Sequence, residues 1–233
     1  MTLQNFTQKS QEAIQDAQNL AIRNNHQQLE QIHLLAALLE QDGGLIPQLL
    51  KKMDVTVESL SAAAMAEVRK LPGVTGAREA DKIYISNGLN QTLVAAQDTA
   101  QRMKDDFVSV EHLFLALLDT AEGSVRNLFR TYNITSDAAM KALQAIGFQF
   151  SMDDFGSGYS SLNMLKSMPV DFIKIDRGFL NEVVTTERGK TVIRFSISLA
   201  REMSIKVIAE GVETEEQAAF LLQAGCAYAQ GYF

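Results

Sequence analysis

The stretch 6–55, FTQKSQEAIQDAQNLAIRNNHQQLEQIHLLAALLEQDGGLIPQLLKKMDV, returns without gaps at 85–134 as ISNGLNQTLVAAQDTAQRMKDDFVSVEHLFLALLDTAEGSVRNLFRTYNI. The two share 11 identities in 50 positions, against about 3 expected from ordinary residue frequencies. Ala17 aligns with Ala96, Ala21 with Ala100, Arg23 with Arg102, His33 with His112, Leu38 with Leu117, and Leu49 with Leu128, always at the interval that separates Phe6 from Ile85. Self-similarity at a fixed offset means one supersecondary unit built twice.

Each copy reads as helices. Thr7 and Ser86 are N-cap candidates, because a hydroxyl there accepts an otherwise unpaired backbone N–H. Ile14, Ala17 and Ala21, then Leu93, Ala96 and Ala100, recur at helical spacing and make one apolar face. A second helix carries His33 to Leu39, matched by His112 to Leu118, and stops at Gly43-Gly44 and Gly123. A third carries Ile46, Leu49, Leu50 and Met53, matched by Val125, Leu128, Phe129 and Tyr132. Val57–Val68 and Ser136–Leu143 supply the fourth, with a linker at Leu71–Gly76. Two four-helix units about a pseudo-twofold axis follow.

After Leu143 strands alternate with helices. The expected strands are Phe148–Met152, Val170–Ile175, Ile205–Ala209 and Ala227–Gly231. The expected helices are Ser160–Met168, Lys190–Met203 and Thr214–Leu222, the last capped by Thr214. Such alternation predicts parallel pairing with right-handed crossovers. Asp153 and Asp154 follow the first strand, Lys174 and Asp176 end the second, Glu210 and Glu213 follow the third, and Gln230 ends the fourth. Chemistry in a (β/α) barrel gathers at those strand ends. Carboxylates, a lysine and an amide converging there suit hard divalent cations and a phosphoester. The expected fold is an all-α duplicated four-helix repeat followed by an α/β half barrel of TIM type with about four parallel strands. Four strands also leave two open edges and a half-exposed apolar face, which invites a homodimer through the edges.

Composition narrows the function. The net charge of −7 over 233 residues argues against nucleic-acid or anionic-membrane partners, which need clustered Lys and Arg. Cys226 is the single cysteine, so no internal disulfide forms. No stretch approaches 18 uninterrupted apolar residues, and MTLQNFTQKSQEA lacks a secretory pattern, so a cytoplasmic location is the expectation. Gly189-Lys190-Thr191 has Val184 where a phosphate loop needs its first glycine, and it reads as a helix start. Glu30 and His33 have the Glu-x-x-His spacing of carboxylate-bridged metal bundles, but no second pair accompanies them. Structural roles are favoured for His33 and His112.

The segments FTQKSQEAIQDAQNLA, HLLAALLEQDGGLIPQLL and VSVEHLFLALL, with the fixed offset between the copies, resemble the N-terminal domain of Clp chaperones, closest to the disaggregase branch, over residues 1–143. The resemblance implies a non-catalytic module that captures unfolded polypeptide or adaptor proteins for an ATPase ring. It implies a peptide-contacting surface with Thr7, Leu93, Asp105 and Glu111. His112 stands where an apolar groove residue is expected.

MDDFGSGYSSLNMLKSMPVDFIKIDRGFL, KVIAEGVETEEQAAFL and AQGYF resemble the second half of the EAL cyclic di-GMP phosphodiesterase domain, over residues 146–233. The resemblance implies metal positions at Asp153 and Asp154, for Mg²⁺ or Mn²⁺. It implies catalytic positions at Lys174, Glu210 and Glu213, a substrate-binding glutamine at Gln230, and a coupling loop at Asp153–Leu162. The Glu-Ala-Leu signature that supplies that family's first metal ligand occurs nowhere in the chain. The expectation is therefore a chimeric or truncated chain, an interaction module joined to a catalytically incomplete fragment, with no resident cofactor. The alternatives are an EAL-related cyclic di-GMP phosphodiesterase and a cyclic di-GMP or Mg²⁺ binding protein.

Overall fold

Four helices fill each copy of the repeat. The computed structural model describes residues 4–74, 83–155, 165, 169–184 and 186–232. The first copy runs α1 (Gln8–Arg23), β1 (Gln28–Leu29), α2 (Gln31–Glu40), α3 (Leu45–Lys52) and α4 (Val57–Lys70). The second runs β2 (Tyr84–Ile85), α5 (Asn87–Arg102), α6 (Val110–Thr120), α7 (Gly123–Thr131) and α8 (Ser136–Ala145). Thr7 caps α1 through the Ser10 N–H, and Ser86 caps α5 through the Leu89 N–H. These satisfy donors that helix starts otherwise leave unpaired.

The copies are tied together reciprocally. The Thr7 N–H donates to Val108 O at 3.0 Å, and the Ser86 N–H donates to Leu29 O at 3.0 Å. Thr7 and Ser86 are equivalent positions of the repeat, and so are Leu29 and Val108. Each copy's leading segment therefore pairs with the other copy's α1–α2 or α5–α6 connection. That exchange is the pseudo-twofold axis. The central helices α2 and α6 are buried nearly all round, which is why their sequences are apolar on every side. Leu34, Leu35, Leu38, Leu113, Phe114 and Leu117 fill the middle.

One buried amide crosses between the copies. Gln31 Nε2 donates to Thr92 Oγ1 and to Thr120 O, each at 3.0 Å, and Gln31 Oε1 accepts from the Glu122 N–H at 3.0 Å. Gln31 has no polar counterpart in the second copy, where Val110 stands at the equivalent position.

The chain divides into two units, Met1–Ile146 and Gly147–Phe233. The second contains β3 (Ser151–Phe155), β4 (Phe172–Ile175), α9 (Arg177–Val184), α10 (Glu187–Glu202), β5 (Lys206–Val212), α11 (Glu215–Ala224) and β6 (Tyr228–Gly231). The strands pair in parallel in the order β3-β4-β5-β6. Helix α11 opens on a capping box of Thr214 and Gln217, and Gly225 closes it at φ +84°. One sheet face carries Met152, Phe155, Ile173, Ile175, Val207 and Ala209, packed with Ile193, Ile197 and Phe220 of the helices.

Four expectations change. The first strand starts later than predicted and includes Asp153 and Asp154, because a bulge between Met152 and Phe155 turns both apolar residues toward the core. The third strand runs on through Glu210 to Val212, since Gly211 adopts φ +70° and lets Val212 pair with Gly231. The sequence reading also missed α9, whose start is capped by Asp176: its Oδ2 accepts from the Gly178 and Phe179 N–H groups at 2.6 and 3.2 Å. Finally, the sheet face turned away from the helices is polar, not apolar. Ser151, Asp153, Lys174, Lys206, Glu210 and Gln230 dominate it, with Phe172, Ile208 and Tyr228 between them. The predicted helix Ser160–Met168 lies outside the described residues except for Leu165, which is buried. The predicted linker lies outside them from Thr75 onward.

Candidate functional site

Two places gather the residues singled out in the sequence. The first is the polar sheet face. Lys174 on β4 stands between neighbouring strands, and its Nζ lies 3.0 Å from Glu210 Oε1 on β5 and 3.5 Å from Asp153 Oδ1 on β3. Asp153 is the most sheltered, with its side chain 9% exposed. The hydrogen bond to Glu210 raises the Lys174 pKa above the usual lysine value, partial burial works against this, and Asp153 adds to the rise. Gln230 on β6 pairs in register with Glu210 and so shares that face.

Glu213 does not join the group. It forms an ion pair with Arg177 at 2.8 Å, beyond the end of β5. Asp176, at the end of β4, is occupied as the cap of α9. The side chain of Asp154 and the loop from Gly156 to Leu162 lie outside the described residues.

Lys174 is shared by both described carboxylates, one ammonium against two negative charges. Among the described residues no group of three or more His, Cys, Asp or Glu could hold a metal ion. The face retains a lysine, two carboxylates and an amide, which suits recognition of a phosphate or hydroxyl by hydrogen bonds.

The second place is the junction of the two helical copies, where Thr7, Asp105 and Glu111 meet the α5–α6 connection. Thr7 is half-buried and bonded to Val108, and Glu111 lies in the first turn of α6. Asp105 is exposed, and its Oδ2 lies 3.1 Å from His112 Nε2, a close approach that is not aligned as a hydrogen bond. Leu93, expected on the same surface, is 1% exposed and belongs to the core. It faces inward with Leu89 and Ala96 of α5, so a bound peptide meets it only after neighbouring side chains move.

His33 and His112 are both explained by capping. The Glu30 N–H donates to His33 Nδ1 at 2.9 Å, and the Ser109 N–H donates to His112 Nδ1 at 3.1 Å. With Nδ1 accepting, the neutral ring carries its proton on Nε2. His33 Nε2 then meets His26 Nδ1 at 2.8 Å, where His112 Nε2 meets Asp105. His26 and Asp105 are themselves equivalent positions of the two copies. Sequence reasoning recognised the equivalence of the two histidines and missed that of their partners, because those residue types differ.

Comparison with known proteins places the helical unit in a family. The Clp repeat (R) N-terminal domain family matches residues 5–145. The chaperone protein ClpB of Bacillus cereus (strain ATCC 10987 / NRS 248) is 40% identical over 147 residues, which is 63% of this chain and 17% of that protein. This chain thus spans only a small part of the curated relative it matches. The Hsp104 N-terminal domain from Candida albicans is 25% identical, at a TM-score of 0.55, and the match covers 63% of this chain and 95% of that one. An uncharacterized signaling protein of Caulobacter vibrioides is 45% identical over 105 residues, 45% of this chain and 13% of its own. Structural neighbours also include an EAL domain protein from Listeria monocytogenes EGD-e, 38% identical over 42% of this chain and 39% of that one, at a TM-score of 0.39.

Proposed function

Because the chain belongs to the Clp repeat (R) N-terminal domain family over residues 5–145, we propose that it works as a protein-interaction module, binding unfolded polypeptide or an adaptor through its helical unit. Its second unit, on this reading, is a catalytically incomplete EAL fragment. The observation that carries the second half is the absence of the Glu-Ala-Leu signature from the chain. That signature supplies the resembled family's first metal ligand, and Asp153 and Glu210 already share Lys174, so hydrolysis that needs a metal-bound water lacks part of its site.

For the helical unit, the reading rests on Thr7, Asp105 and Glu111 gathering where the copies exchange segments. Leu93 acts there as support from below, not as a contact. The ligand is an extended, unfolded chain whose backbone and basic groups meet those acidic side chains.

A labelled, permanently unfolded polypeptide titrated with the full chain tests the first half by fluorescence anisotropy. Binding is expected, and Glu111→Ala should weaken it roughly fivefold, about 1 kcal/mol, without changing the melting temperature. Absence of binding would remove the reading. The second half is tested separately by calorimetry with cyclic di-GMP and Mg²⁺, where no heat is expected. Turnover of the dinucleotide would overturn it. A second reading, dinucleotide binding without hydrolysis, is favoured by Lys174 and Gln230 sharing one polar face, and heat without turnover would select it.

A further inference from the structure

Asn87 is the one asparagine of the chain that glycine follows. The pair opens α5, directly after the cap Ser86. Such a pair is chemically unstable, because the backbone nitrogen after an asparagine can attack that asparagine's own amide carbon. A residue with a Cβ crowds the approach, and glycine does not.

The start of α5 leaves this reaction open. Asn87 is exposed, so water reaches its amide. The first N–H groups of a helix have no acceptor within the helix. Ser86 Oγ accepts from the Leu89 N–H at 3.2 Å, and among the described residues no acceptor takes the Gly88 N–H. The attacking nitrogen is therefore not engaged elsewhere. Helix ends fray, so only the terminal turn has to open for that nitrogen to reach the amide carbon.

We propose that Asn87-Gly88 is a site of spontaneous covalent modification, and that one of its two products cuts the tie between the helical copies. The Gly88 nitrogen attacks Asn87 Cγ and gives up its proton, which leaves with the amide nitrogen as ammonia. A cyclic imide remains. Water then opens the ring on one of two sides. Breaking the new bond leaves an ordinary aspartate at position 87. Breaking the original peptide bond routes the main chain through the side chain, as isoaspartate. Water is the only co-reactant, and nothing is oxidised or reduced.

The two products act differently on the fold. Aspartate adds a carboxylate at the positive end of α5 and leaves the backbone as it was. Isoaspartate adds a methylene to the main chain between Ser86 and Leu89, the two residues joined by the cap bond. It also displaces the Gly88 carbonyl, which accepts from Gln31 Nε2 at 3.2 Å and from Thr92 Oγ1 at 3.1 Å. Gln31 is the amide that crosses between the copies, and its Oε1 holds the Glu122 N–H. The Glu122 carboxylate lies against Gly88, so the lengthened backbone has little room on that side.

Ageing the full chain in mildly alkaline buffer made with oxygen-18 water, well below its melting temperature, tests this. Peptide mapping by mass spectrometry reads the result. Position 87 should lose its amide and gain the heavy oxygen about tenfold faster, or more, than any other asparagine. An enzyme that methylates isoaspartyl carboxylates should label the aged chain and not Asn87→Gln, whose longer side chain forms the imide far more slowly. Hydrogen exchange then compares the aspartyl and isoaspartyl fractions. In the isoaspartyl fraction the Leu89 and Glu122 amides should exchange about fivefold faster, as expected for one lost hydrogen bond. In the aspartyl fraction, and in freshly purified Asn87→Asp, they should keep the wild-type rate. A folded chain that keeps the amide at position 87, while a urea-unfolded sample loses it under the same conditions, overturns the proposal. Methyl labelling of Asn87→Gln equal to that of the wild type also overturns it. Isoaspartyl chains with unchanged exchange at Leu89 and Glu122 overturn the claim that the tie is cut.

Discussion

A histidine at the third position of a helix can replace glutamine in a cap. His33 and His112 do this through Nδ1, as Gln217 does through Oε1, which accepts from the Thr214 N–H at 3.1 Å. The imidazole adds a titratable group that glutamine lacks. Burial first, and then the His26 ring beside it, lowers the His33 pKa to about 4. In the unfolded chain it titrates near the ordinary histidine value of about 6.5. Between those values the unfolded chain binds a proton that the folded ring refuses. The stabilisation is therefore complete above about pH 6.5 and is lost as pH falls toward 4. Urea unfolding should show about 2 kcal/mol less stability at pH 5 than at pH 7 from this group. His33→Gln keeps the cap and should remove that part of the slope. An unchanged slope in the variant would assign the pH dependence to other groups. The sequence reading favoured a structural role for both histidines without identifying it as a cap, although Glu30-x-x-His33 and Ser109-x-x-His112 both have the spacing of a capping box. The first pattern was weighed instead as a metal pair and set aside for want of a second one. Their partners, His26 and Asp105, were harder to see, since only position links two side chains so different in chemistry.

Elements were read more securely than their ends. The helices of the repeat follow from apolar spacing and from caps at Thr7 and Ser86, and α11 follows from Thr214 in the same way. The strand ends did not follow, because they depend on pairing with residues distant in sequence. Gly231 shows how strict that pairing is. A Cβ there would overlap the backbone of Val212, including its carbonyl oxygen, and backbone cannot turn aside as a side chain does. Gly231→Ala should destabilise the second unit by about 1–3 kcal/mol and open the end of the β5–β6 pair. Hydrogen exchange measures this directly: amides from Glu210 to Val212 should exchange faster while those of Lys206 to Ile208 keep most of their protection. Equal protection throughout, with an unchanged melt, would mean that β6 slides to accommodate the methyl group. The polarity of the open sheet face was not read from the sequence, although Asp153, Lys174, Glu210 and Gln230 were all expected at strand ends. What was missing was the register that puts them on one face with Ser151 and Lys206. An open face of this composition is at ease in water, so the second unit has less need of a covering partner than four bare strands suggested.

The two units differ in how they are held, and that difference is measurable on the whole chain. In Met1–Ile146 the central helices α2 and α6 are enclosed by the others, and the copies are locked by the Gln31 network. In Gly147–Phe233, among the described residues, one face of the sheet is packed against helices, so each strand contributes about half its side chains to that core. Stability grows with the share of apolar surface removed from water, and a one-sided sheet of this size removes less. Thermal unfolding should therefore proceed in two steps, with the second unit melting first, a departure from two-state behaviour common in chains of two domains. Substitutions assign the steps. Gly231→Ala should lower only the first. Gln31→Leu leaves the Glu122 N–H and the Thr120 carbonyl without their partner, at a cost of about 2–3 kcal/mol, and should lower only the second, by several degrees. Limited proteolysis between the two temperatures should leave a helical fragment ending near Ile146. If both substitutions instead move one shared transition, the units unfold as one cooperative body, and the covered face of the sheet is not what limits the stability of the second.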